Sequence, residues 1–285
     1  MRWGVEKRLE FIEFRLFWEG GINRADIVDR FGISVPQASK DLQLYEEKAP
    51  GNLHYDKSRK LYRAANDFKP VFMEPEADAY LAQLRSSTGP DAGSSELWLA
   101  IPPEFDAMHV PHRRINVSVL RAILTAIRES HSLEIHYQSM SEHRPSPNWR
   151  RFTPHALGND GLRWHIRAYC HEDEKFKDFI LSRCLDARDF REPGACPGED
   201  RLWHDSFGVA LAPNPLLSVG QQEIIAEDFG MHNGRTEIFV RRALLYYFQK
   251  RLRLDVDAAL DNPYEEPIVV ANRPEFDSAL AEAMR

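Results

Sequence analysis

Apolar side chains at Val5, Leu9, Ile12 and Leu16 recur close to the helical period, so residues 5–18 read as one amphipathic helix, ended by Gly20-Gly21. Asn23 is placed to cap a short helix over Arg24 to Arg30, with Ala25, Ile27 and Val28 turned inward. Phe31-Gly32-Ile33-Ser34 then predicts a tight turn, where glycine lets the chain reverse between two packed helices. Ser34 caps a third helix from about Val35 to Glu47, Pro36 sits in its first turn, and Val35, Ala38, Leu42 and Tyr45 are expected inside. Further on the period changes. Residues 116–130 predict a capped helix, followed by alternating segments at Leu133–Gln138, Arg151–His155, Leu162–Ala168 and Phe176–Leu181 that predict strands. The last third predicts a helix over 215–230, a strand over Thr236–Arg241 and a strongly apolar helix over 243–252.

The first block has the order of a winged helix-turn-helix: short helix, glycine turn, Ser-capped helix, then Leu53-His54-Tyr55 and Leu61-Tyr62-Arg63 flanking a basic loop. The outer face of the third helix carries Gln37, Ser39, Lys40 and Gln43 beside Ser34. These are polar groups of a size to reach base edges, with Lys40 able to meet a phosphate or a guanine. Lys57, Arg59 and Lys60 in the hairpin loop are candidates for the phosphate backbone. The same pattern also describes a helical bundle with a solvated polar face. The ordered run of four features favours DNA.

Charge sharpens the division. The 285 residues carry a formal charge of −7 overall, distributed as +2 over 1–64, −6 over 65–110, +3 over 111–190 and −6 over 191–285. Two basic blocks therefore alternate with two acidic ones, and an acidic protein of this kind still binds anions where its positive charge is local. Ser86 to Ser95 and Arg191 to Gly198 are turn-rich breaks. The domains are accordingly expected at 1–66, 67–115 (a linker with a helical segment), 116–192 and 200–285. No apolar run approaches the roughly 20 residues of a membrane span. Met1 to Lys7 puts an acid where a signal peptide needs an apolar core, so the expectation is a cytoplasmic protein with no membrane partner. Cys170, Cys184 and Cys196 form no CxxC pair and are expected as reduced thiols.

Arg163-Trp164-His165-Ile166-Arg167-Ala168-Tyr169 resembles the segment that names WYL domains, with histidine in the middle place. Ile135-His136-Tyr137-Gln138-Ser139, Phe152-Thr153-Pro154-His155 and Asp178-Phe179-Ile180-Leu181-Ser182-Arg183 support the match. The resemblance extends over most of the chain to WYL transcriptional regulators, and within them to those beside phage-defence operons of the BREX and CBASS kind. It implies an α+β protein: an N-terminal winged helix-turn-helix, a central Sm/SH3-like β-barrel that senses a ligand, and a small α/β C-terminal dimerisation domain. It further implies a nucleotide or single-stranded nucleic-acid effector. By position the pocket residues would be Tyr137, Ser139, His155, Arg167, Phe179 and Arg183. Their chemistry agrees: guanidinium forks for phosphate, an imidazole that gains charge near an anion, and aromatic faces for a base. Trp164 is expected as a core anchor. The residues alone leave a second reading open, in which Arg167 and Arg183 pair with Asp178, Asp186 or Glu172 on a structural surface.

The apolar C-terminal block predicts burial against a second copy, since symmetric dimers are the commonest soluble oligomers. A two-fold dimer sets two recognition helices about 34 Å apart, or a multiple, on a pseudo-palindromic double-stranded operator. Arg241, Arg242, Lys250, Arg251 and Arg253 form a basic cluster there, read most simply as a solvated face. The expected function is a homodimeric repressor released by its effector, with activation using the same DNA contacts. The alternative from another class is a metal-dependent nuclease built on the His-rich middle block. No Gly-x-Ser-x-Gly, Gly-x-x-x-x-Gly-Lys, Gly-x-Gly-x-x-Gly or His-Glu-x-x-His motif occurs, and His165, Cys170, His171 and Cys184 are poorly spaced for zinc. The expectation is no enzyme, no cofactor and no metal.

Overall fold

The structure is a computed structural model that describes residues 2–87, 98–108, 111, 113–254 and 262–284. Most of the turn-rich stretch expected over Ser86 to Ser95 lies outside the described residues. Contacts divide the chain into two units, Met1–Val110 and Pro111–Arg285.

The first unit opens with α1 (Arg2–Glu19), a two-residue strand β1 (Gly21–Ile22), α2 (Arg24–Phe31) and α3 (Val35–Lys48). A hairpin, β2 (Leu53–Asp56) and β3 (Leu61–Ala64), and a helix α4 (Ala77–Ser86) follow. Asn23 caps α2 in a reciprocal box with Asp26, and Gly32 ends that helix in the left-handed region at φ 63°. Gly21 lets β1 approach β3: a Cβ there would stand 2.7 Å from the Leu61 side chain. The core gathers Leu9, Ile12, Leu16, Ile22, Ile27, Ala38, Leu42, Tyr45 and Leu53. Val35 is not part of it and is 55% exposed. It occupies the first turn of α3, ahead of the packed face, and Asp41 is buried there instead in a two-bond contact with Arg8. Glu13 is fully buried in α1 and accepts from the backbone N–H groups of Val71, Phe72 and Met73 and from the Tyr45 hydroxyl. That carboxylate pins the segment after the hairpin back onto α1, since charge-assisted bonds to backbone N–H groups are among the stronger ones.

The second unit begins with α5 (Val117–Glu129), capped by Asn116, and five strands: β4 (Ser132–Tyr137), β5 (Asn148–Asn159), β6 (Trp164–Cys170), β7 (Lys175–Ile180) and β8 (Cys184–Arg191). They form one antiparallel sheet in the order β7-β6-β5-β4-β8, with α5 packed on its apolar face. The sheet is open. Among the described residues no ladder joins β7 to β8, and the single turn Leu181–Arg183 carries the chain from one edge to the other. β6 is buried on both faces: Ile166, Ala168 and Cys170 lie in the core, while His165 and Arg167 lie under later parts of the chain. Trp164 is no core anchor; it is 47% exposed, because it starts the strand beyond the end of that core.

Then come α6 (Arg201–His204), β9 (Ser206–Pro213), α7 (Val219–Asp228), β10 (Thr236–Arg241), α8 (Leu245–Arg251), β11 (Ile268–Val270) and α9 (Arg273–Ala283). A second sheet runs β10-β9-β11 over a core of Val209, Leu211, Leu245, Ile268, Val270 and Phe276. α7 is shorter than expected, because Ser218 caps it in a reciprocal box with Gln221. Its Val219 and Ile224, and Phe239 on the edge strand β10, are strongly exposed. Among the described residues no helix is long and apolar enough to cross a membrane.

Candidate nucleic-acid interface and effector cavity

In the first unit, α3 is anchored from behind and polar in front. The Ser34 hydroxyl accepts from the Gln37 N–H at 3.4 Å, and Pro36 fills the first turn, where no helical donor is lost. Gln37 donates to Asp41 at 2.9 Å, the Ser39 hydroxyl donates to the Val35 carbonyl, and Gln43 donates to Glu47. Lys40 projects into solvent. The hairpin loop is pre-shaped by Asp56, whose carboxylate accepts from the Ser58 hydroxyl and from the Ser58 and Arg59 N–H groups. Those bonds, the Ser58 hydroxyl first, hold the Asp56 carboxyl below its ordinary value. Lys57, Arg59 and Lys60 stand exposed around this turn. Among the described residues, no carboxylate pairs with the charged groups of Lys40, Lys57, Arg59 or Lys60.

In the second unit, a cavity of ≈ 340 Å³ opens beside β4 and β7. Tyr137, Ser139 and Phe179 of the expected pocket line it, joined by Ser141, His143, Arg144, Arg150, Lys177 and Asp178. The Tyr137 hydroxyl accepts from the Ile180 N–H, and burial raises its pKa, with the Arg183 guanidinium close by. His155 and Arg167 are not in that lining. Arg167 is buried, donating to both oxygens of Asp200 at 2.7 and 2.9 Å and to Asp178 at 3.3 Å, and His155 bonds the same Asp200 at 2.9 Å. Burial alone would push the Asp200 carboxyl up; the bonds from His155 and Arg167 outweigh it and bring it to about 2. Asp178 goes the other way, raised because burial outweighs its pairing with Arg167. Of the open pairings, Arg167–Asp178 is present. Asp200 was not foreseen, and 33 residues of sequence separate it from Arg167.

Arg144, Arg150, Lys177 and their shared partner Asp173 also escaped the sequence reading. The signal available was the alternation Lys175-Phe176-Lys177-Asp178-Phe179, which puts lysine 177 and Phe179 on one side of a strand. His165, by contrast, bonds Asp160 at 2.9 Å and packs on Tyr247. Among the described residues no group of three or more His, Cys, Asp or Glu side chains is arranged to hold a metal ion. Cys170 and Cys184 are buried thiols, Cys184 pushed by burial to about 12, and Cys196 is exposed. The C-terminal basic cluster is largely engaged: Arg241 caps the Trp203 carbonyl, Arg242 pairs with Glu282, Arg251 donates to the Asp160 carbonyl and Arg253 pairs with Glu266.

Comparison with known families accounts for each block in turn. The BrxR transcriptional regulator winged helix-turn-helix domain matches residues 4–86, the WYL domain matches 118–189, and the BrxR transcriptional regulator C-terminal dimerization domain matches 207–276. The DNA-binding transcriptional repressor CapW of Pseudomonas aeruginosa is 40% identical over 281 residues, covering 96% of this chain and 91% of that protein. The chain belongs to the CapW family. CapW of Stenotrophomonas maltophilia is 37% identical, covering 99% of this chain and 94% of the relative; CapW of Escherichia coli (strain KTE188) is 37% identical, covering 98% and 93%. CapW proteins are named as repressors, a regulator class and not an enzyme class. Among solved structures, proteasome accessory factor B/C (PafBC) of Arthrobacter aurescens aligns with 97% of this chain and 49% of its own length, at 17% identity and a TM-score of 0.23, a likeness too slight to argue from.

Proposed function

We propose that the chain is a homodimeric, operator-binding transcriptional repressor of a phage-defence operon, acting in the cytoplasm and released by an anionic effector bound in the WYL region. The observation that carries the DNA reading is the set of solvent-facing cations on α3 and on the hairpin loop, set in a winged helix-turn-helix of a repressor family. Ser34, Gln37, Ser39, Lys40 and Gln43 take the major groove in this reading; Lys57, Arg59 and Lys60 take the phosphates. Residues 1–66 bind DNA, 67–115 link, 116–192 sense, and 200–285 dimerise, the last supported by the exposed apolar side chains on α7 and β10. The bulge in β5 between Pro154 and Ala156, the single turn between β7 and β8 and the pairing of β4 with both β5 and β8 favour an Sm/SH3-like arrangement for the sensing sheet.

Effector binding has a physical route to the dimerising part. Asp178 lines the cavity, accepts one N–H of Arg167 at 3.3 Å, and accepts from the Tyr247 hydroxyl of α8 at 3.2 Å. A ligand that favours one position of Asp178 shifts α8 only if its affinity differs between the two arrangements. Of the expected ligand residues, Tyr137, Ser139 and Phe179 contact the effector in this reading, Arg183 supports Tyr137, and His155 and Arg167 belong to the route. Footprinting on the DNA upstream of the gene tests the proposal: protection of a pseudo-palindrome is expected, and a protein that protects no site there is not this repressor.

A further inference from the structure

Three cations that border the cavity converge on one carboxylate. Arg150 donates to Asp173 at 2.6 Å, Lys177 at 2.9 Å and Arg144 at 3.3 Å, and the Cys170 thiol adds a contact at 3.3 Å. Arg150 is 2% exposed and is fixed further by Glu172 at 2.8 Å and by the Phe179 ring beneath it. Lys177 and Arg144 are about a third exposed. Asp173 sits in the turn between β6 and β7, outside the cavity lining, so it holds the three cations from behind.

We infer that the three cations gathered on Asp173 make the cavity selective for a terminal phosphate monoester over a phosphodiester, and that Asp173 is a built-in competitor that weakens the binding of both. This rests on the cavity being the effector site. Asp173 supplies one charge and two oxygens. A phosphodiester also has one charge and two free oxygens, so exchanging Asp173 for it gains nothing. A monoester carries about −1.5 to −2 charges and three acceptor oxygens, one for each cation. The ≈ 340 Å³ of space suits a single nucleotide-sized group, at the low end of ordinary ligand sites. Phe179 and His143 line the same cavity; the Phe179 ring, stacked on Phe152 and covered by the Arg150 guanidinium, bounds the space and offers no open face for a base.

Calorimetry on the full-length chain with adenosine 5′-monophosphate, 3′,5′-cyclic adenosine monophosphate, adenosine, and a tetranucleotide with and without a 5′-phosphate tests this. The 5′-monophosphate should bind at least about tenfold tighter than the cyclic diester, and Asp173→Asn, which removes a cost common to both, should tighten both about tenfold and leave the preference in place. Lys177→Gln, whose side chain is solvent-reaching and whose loss leaves Arg150 paired, should narrow the preference by removing one of the three cations, with an unchanged melting temperature. A phosphorylated tetranucleotide that outbinds the mononucleotide marks a strand end as the source; equal binding marks a free nucleotide. Equal affinity of wild type for monoester and diester overturns the selectivity, and an Asp173→Asn chain that binds neither more tightly overturns the competitor, each while leaving the cavity as effector site. Should no phosphate probe bind wild type or either folded variant, the cavity reading falls together with it.

Discussion

The hairpin loop of the first unit and the arginine network of the second were both expected to meet phosphate, and they differ in one respect. Lys57, Arg59 and Lys60 surround a turn whose carboxylate, Asp56, is occupied by its own backbone. Arg167 instead has both ends of its fork committed to Asp200 and a further bond to Asp178. A cation without a carboxylate partner meets a ligand at no internal cost. A buried arginine with ideal internal partners and no face on the cavity, as Arg167 is, belongs to the framework, since separating it from them strands a charge.

Asp200→Asn probes the committed end of that contrast and should have the largest effect. It leaves the buried Arg167 with Asp178 as its one remaining carboxylate, and breaking a buried pair costs about 3–5 kcal/mol. Thermal melts of the variant check it; a loss under ~1 kcal/mol would return Arg167 to the ligand-binding group. Acid gives the same contrast without mutation. The Asp200 and Asp160 carboxyls titrate at about 2 in the fold, below their ordinary 3.8. A depressed folded value means stability that is whole above pH 3.8 and is lost as pH falls towards 2. Asp178 has the opposite sign: its raised value makes the fold take up a proton more readily, which offsets part of the loss as pH falls. Denaturant melts between pH 6 and 2 should therefore show stability falling below about pH 4, less steeply in Asp200→Asn.

The uncommitted end is probed by replacing Lys57, Arg59 and Lys60 together with alanine. If all three meet phosphates, the slope of log affinity against log salt should flatten by roughly 0.9 per residue, with the melting temperature unchanged. An unaltered slope in filter binding or anisotropy would place the loop away from DNA and erase the contrast.

What could be foreseen from residues followed the same divide between local and remote causes. The caps at Asn23, Ser34 and Asn116 were legible because a cap bonds a backbone group two or three positions away. The strand Thr236–Arg241 matched its expected bounds. β1 was missed because Gly21-Ile22 has no alternation to read, and its pairing is decided by Tyr62 and Arg63. β8 was missed because most of its side chains face solvent, so Cys184–Arg191 looks like a polar loop. β9, β11 and α9 were left unassigned, their pairing and packing being set by one another over some sixty residues. The site divided in the same way. Exposed cations on a local turn announced themselves, whereas the Asp200 fork and the Asp173 cluster depend on where the sheet brings distant loops.

Tyr247→Phe addresses the route between the two kinds of site. It removes a hydroxyl donated to a buried carboxylate, a loss of about 1–3 kcal/mol that leaves the ring packed on His165. Operator binding without effector should stay close to wild type, and the effector's power to release the operator should fall. Release at wild-type effector concentration would show that Asp178 does not carry the signal to α8.

The smallest expected effect belongs to Ser34, which is claimed for two tasks. As a cap its bond is long, 3.4 Å, so Ser34→Ala should cost only about 0.5–1 kcal/mol of stability. Asparagine caps as well as serine does, so Ser34→Asn should keep that stability. The two variants separate the tasks, because alanine removes both cap and hydroxyl while asparagine removes the hydroxyl alone. If the hydroxyl touches DNA, both variants lose operator affinity, to a similar extent. If it serves only the helix, asparagine binds the operator like wild type, and Ser34 moves from the uncommitted surface to the committed framework, the side on which Arg167 already stands.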